Sequence, residues 1–88
     1  MTDMTNWKEM LIAAMQKRGE TIKDIEANTM SKKEMLKQFD QGFGGTEGIP
    51  VTVWTKNTVY FPIQYDGAEW VGHVSRNPDG KPTDHQGG

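Results

Sequence analysis

Trp7, Met10, Leu11, Ala14 and Met15 recur at spacings of three and four residues, which places them on one face of an α-helix over residues 5–18. Lys8, Glu9, Gln16 and Lys17 fall on the opposite side, with Thr5 positioned to cap the helix and Gly19 to end it. Thr21 followed by Asp24 reads as a second start signal, opening a short helix over 21–28 whose apolar contacts are Ile22, Ile25 and Met30. Ser31 with Glu34 matches the capping box more closely. Met35, Leu36 and Phe39 follow at helical spacing, which predicts a third helix over 32–40.

The period then changes. Residues 42–50 contain four glycines and a proline and cannot continue a helix, so they cross from the helical half to a sheet, with Phe43 and Ile49 as anchors. Beyond Pro50 the residues become β-branched and aromatic, predicting strands over 51–55, 58–65 and 68–74, separated by Lys56-Asn57 and by Asp66-Gly67. The Asp-Gly pair is a strong hairpin signal because both central residues of a type I′ turn need positive φ. Strand by strand, alternation turns Val51, Val53 and Thr55, and then Val59, Phe61, Ile63 and Tyr65, toward the core. Trp54, Tyr60 and Gln64 point the other way. Pro62 lacks a ladder donor, so it marks either a bulge or an edge.

The fold expected is α+β: three N-terminal helices packed on a small three-stranded antiparallel sheet, one domain over 1–78, and a flexible polar tail over 79–88. A chain of 88 residues is enough for one core and too short for two. With no cysteine, neither a disulfide framework nor a thiolate metal site is available, and a reducing compartment is the natural setting. The first ten residues lack the basic and apolar regions of a secretory signal, and no apolar run is long enough to span a bilayer. Residues 1–41 carry seven basic and seven acidic side chains and residues 42–88 carry three and five, so neither half is a polybasic surface for phosphate backbones.

Groups suited to catalysis are few. His73 and His85 are the only imidazoles, no GxSxG elbow is present, and His73 near Glu69 and Arg76 is more simply a structural side chain. The acids Asp24, Glu26, Asp40 and Glu47 lack apolar walls that would tune them as acid and base. The glycine-rich residues 42–48 leave a helix and enter a strand, the reverse of a nucleotide loop, and Glu47 would repel phosphate. Neither histidine has metal-ligand spacing with a partner. The expectation is therefore no catalytic residue, no metal and no cofactor. Gly87-Gly88 is read as an ordinary chain end.

Two binding readings remain. In the first, Trp54, Tyr60 and Trp70, joined by His73 and Phe43, form an aromatic partner surface on the outer side of the sheet; the competing view has the tryptophans merely covering the core. In the second, residues 21–39 form a helix-turn-helix with the hairpin as a wing, and Lys32, Lys33 and Lys37 meet nucleic acid. That segment lacks the usual turn glycine and offers no Arg or Asn at the start of the reading helix.

The run FDQGFGGTEGIPVTVWTKNTVYFPIQYDGAEWVGHVSRNP, residues 39–78, resembles a family of small proteins of tailed bacteriophages and prophages. In that family an acidic-glycine stretch, a WT pair, a VYFP run and a YDGAEWV segment follow one another. The resemblance brings no site residues with it. It implies a non-enzymatic phage accessory protein acting in the cytoplasm of the bacterial host and binding a host protein.

Overall fold

The computed structural model describes residues 4–40, 49–65, 68–83 and 85. The expected Asp66-Gly67 turn, the loop 42–48 with Phe43, and Gly87-Gly88 lie outside them. A two-residue strand, β1 (Met4–Thr5), precedes helix α1 (Trp7–Arg18). Asn6, not Thr5, caps that helix: its Oδ1 accepts from the Glu9 N–H at 2.8 Å, while Thr5 is taken by β1. Trp7, Leu11, Ala14 and Met15 are buried along one stripe, as their spacing predicts. Gly19 takes φ +72° and closes the helix, its N–H donating to the Gln16 carbonyl and the Glu20 N–H to that of Met15. The reversal leaves Glu20 turned back over the end of α1.

The second start signal forms without its helix. The Thr21 N–H donates to Asp24 Oδ2 at 2.8 Å, yet only a 3-10 turn, Ile22–Asp24, follows before the chain extends as β2 (Ile25–Asn28). An isolated short helix gains little, whereas β2 gains a ladder with β4 (Val53–Thr55), pairing Ile25 with Thr55, Ala27 with Trp54 and Asn28 with Val53. The Ser31–Glu34 capping box is complete and opens α2 (Lys32–Leu36), but this helix ends after five residues. Phe39–Asp40 becomes β3, antiparallel to β1. Among the described residues two α-helices therefore stand where three are expected.

The main sheet has four strands, not three, all antiparallel in the order β2-β4-β5-β6, with β5 spanning Thr58–Tyr65 and β6 Ala68–Ser75. Lys56 and Asn57 join β4 to β5, so Val53 lies opposite Tyr60 and Trp54 opposite Val59. This register corrects the facing expected for β5. Tyr60 shares the inner face with Val53 and is only 1% exposed, while Val59, Phe61, Ile63 and Tyr65 belong to the reverse face. Pro62 sits in an unbroken register with β6, and β4 pairs only as far as Tyr60; its missing donor falls where β5 is locally an edge.

One hydrophobic cluster lies between the helices and the inner sheet face: Trp7, Leu11, Ala14 and Met15 from α1, Met35 from α2, then Met30, Val51, Val53 and Tyr60. Trp7 also meets Phe39, with ring centroids 5.1 Å apart. After β6 the chain folds over the β4–β5 turn, where the Arg76 N–H donates to the Asn57 carbonyl and Arg76 Nη1 to the Thr55 carbonyl at 2.8 Å. The same nitrogen reaches Glu26 Oε1 at 2.8 Å and so ties this segment to β2. Gly80, at φ +74°, then turns the chain back.

Candidate functional site

The reverse face of the sheet is apolar. Cross-strand partners place Trp54 beside Val59, Val59 beside Val74, Phe61 beside Gly72 and Ile63 beside Trp70. Trp54, Val59, Phe61, Trp70 and Val74 are half-buried, and Ile63 is buried to 8% exposure, yet none of the six belongs to the core cluster. Tyr65 at the end of β5 is exposed. Lys56, Glu26 and Arg76, all exposed, lie toward the end of the sheet that holds the β4–β5 turn.

The residues expected to act together are thus divided. Trp54 and Trp70 occupy the reverse face. Tyr60 lies in the core. His73, opposite Tyr60 in the register, is on the inner side of β6 with its ring 6.2 Å from the phenol. Lys32, Lys33 and Lys37 are exposed, but the helix-turn-helix that was to present them is replaced by a 3-10 turn, a strand and a five-residue helix.

Sequence reasoning missed a polar cluster where the end of α1 meets the β4–β5 turn. Glu20 accepts hydrogen bonds from the Tyr60 hydroxyl and from Thr55 Oγ1, the latter at 2.7 Å. Thr55 Oγ1 in turn accepts from the Thr58 N–H at 3.0 Å, and Arg18 donates through Nε and Nη2 to Thr58 Oγ1, each at 3.3 Å. Thr55 and Thr58 are at most 1% exposed, so their hydroxyls require these partners. The visible signal was a pair of threonines bracketing a two-residue turn, which need a polar facing group once Val53 fixes that face as inner.

Electrostatics follow from this arrangement. Burial raises the Glu20 carboxyl, but hydrogen bonds from Tyr60, Thr55 and Thr58 more than offset it and hold the group below its ordinary value. Burial, the hydrogen bond to Glu20 and the charge of that carboxylate together push the Tyr60 phenol far upward. Tyr60 therefore stays protonated at neutral pH and serves as a donor, not as a base. His73 is held below its ordinary value by burial and by the charges of Arg18 and Lys17. Among the described residues no group of three or more His, Cys, Asp or Glu side chains could hold a metal ion, and no helix is long and apolar enough to cross a membrane.

The class defined by these elements is a compact α+β domain with a four-stranded antiparallel sheet covered by helices on one side. No family model matches the chain, and neither a curated protein nor a solved structure is significantly similar to it.

Proposed function

We propose that this is a non-enzymatic binding protein that recognises a protein partner through the reverse face of its sheet, with Trp54 and Trp70 as anchors. The observation that carries the reading is the cross-strand register that gathers Trp54, Trp70, Val59, Ile63 and Val74 on the sheet face opposite Val53 and Tyr60, outside the core cluster. Tryptophans that are large, rigid and only half-covered are the residue type on which binding energy concentrates. The hydroxyls of Tyr60, Thr55 and Thr58 are engaged in the fold's own hydrogen bonds, which favours binding over catalysis. The resemblance of residues 39–78 to small phage proteins supports a bacterial host protein as the partner and the host cytoplasm as the compartment.

The test begins with tagged protein expressed in bacterial cells, identification of co-purifying proteins, and titration calorimetry with the purified partner. Trp54→Ser and Trp70→Ser are each expected to weaken the affinity by about thirtyfold or more, the equivalent of roughly 2 kcal/mol, with the circular dichroism spectrum retained. Unchanged affinity in both folded variants would remove this face from the interface.

A further inference from the structure

A cleft of about 220 Å³ lies between the end of α1 and the segment following β6, lined by Arg18, His73, Ser75, Asp79, Lys81 and Thr83 among others. We propose that this cleft is a binding site for a phosphate monoester. It differs from the reverse sheet face in its polar lining, with His73 on the inner side of β6, although Val74 borders both. Its volume equals that of about seven water molecules at about 30 Å³ each, room for a phosphate group and the first atoms of its carrier.

The lining chemistry favours a dianion. Among the described residues that line it, Arg18 and Lys81 bring two positive charges against the carboxylate of Asp79, while the nearby Glu20 carboxylate is engaged by Tyr60 and Thr55. Asp79 Oδ1 already accepts the Lys81 N–H at 2.9 Å and so holds the turn at Gly80 that returns Lys81 and Thr83 toward β6. Arg18 is pre-positioned: Nε and Nη2 are fastened to the buried Thr58 hydroxyl. Of the five N–H groups of a guanidinium, those two bonds use two, and the others can meet phosphate oxygens. Thr83 adds a hydroxyl donor. His73 faces the cleft beside Arg18 and within the field of Lys17; burial first, and then the charges of Arg18 and Lys17, hold its imidazole below the ordinary value. A bound dianion reverses the sign of that field, draws a proton onto His73 and converts it into a further donor.

Histidine ring NMR reads this directly, because His85 is exposed, does not line the cleft and serves as an internal control. The intact protein is titrated at pH 7 with inorganic phosphate, O-phosphoserine and ribose 5-phosphate, each against sodium chloride at matched ionic strength. His73 signals are expected to move saturably toward the protonated position with a Kd of about 1 mM, while His85 stays fixed. The tighter of the two esters identifies the carrier. Lys81→Gln, whose side chain lies outside the core, is expected to weaken binding about tenfold with an unchanged melting temperature, and Arg18→Gln to abolish it. No saturable His73 movement with any of the three probes, equal movement of His73 and His85, or undiminished binding by Lys81→Gln would each overturn the site.

Discussion

A phenol at 1% exposure must find a partner for its hydroxyl, and Tyr60 finds it in Glu20, forty residues earlier in the chain. Tyr60→Phe keeps the ring against Val53 and removes one donor to a carboxylate that is itself only partly covered. The expected loss of stability is about 1–2 kcal/mol by urea denaturation, and the Glu20 carboxyl is expected to titrate at higher pH once that donor is gone. If neither quantity moves, the bond does not hold the hairpin to α1. Glu20 reaches Tyr60 because Gly19 reverses the backbone at positive φ, so a local cap and a distant side-chain contact share one cause.

Among elements, caps were more legible than the helices they open. At Ser31 both reciprocal bonds of the box form, and at Thr21 the N–H reaches Asp24 while the Asp24 N–H returns to the Thr21 carbonyl, because each needs only the residues within one turn. Whether a helix then propagates depends on what competes: β4 captures residues 25–28, and β1 captures Phe39. For α2, a helix of five residues, the cap is a large share of the local stability. Ser31→Ala is expected to cost about 1 kcal/mol by denaturant titration and to speed hydrogen exchange at Met35, whose N–H donates to the Ser31 carbonyl. Equal exchange in both proteins would show that Met35 is held by the core alone. The extent of β5 was readable to the residue, but its facing was misread, although the information was present. A two-residue connection at Lys56-Asn57 forces Trp54 opposite Val59 and Val53 opposite Tyr60, so once Val53 is inward Tyr60 must be too. Alternation taken one strand at a time loses that link and turns Val59 and Phe61 inward. The pairs of β1 with β3 were not legible, since two residues are too few to show a period. The Arg18–Thr58 and Glu20–Tyr60 contacts of the polar cluster also escaped, because they join residues forty apart with no local pattern.

Across the whole molecule, the polar cluster and His73 lie where the helical layer meets the sheet, so their titration bears on how the two layers hold together. Both His73 and Glu20 bind protons more weakly in the fold than in the open chain. For each, the contribution to stability is complete above the ordinary value, 6.5 for the histidine and 4.5 for the carboxyl, and is lost as pH falls through the lower folded value. Tyr60 has the opposite sign, its contribution being intact below the ordinary phenol value of 10.0 and eroding only in stronger alkali. The melting temperature is therefore expected to decline in two steps on acidification, the first beginning below pH 6.5 and the second below pH 4.5. His73→Gln is expected to flatten the first step and leave the second, because an amide has no proton to gain beside Arg18 and Lys17. Glu20→Gln should lower stability at neutral pH, where the charged acceptor is missing, and flatten the second step alone. Thermal melts of the three proteins across that range separate the contributions, and a first step that survives His73→Gln would trace the upper transition to another group.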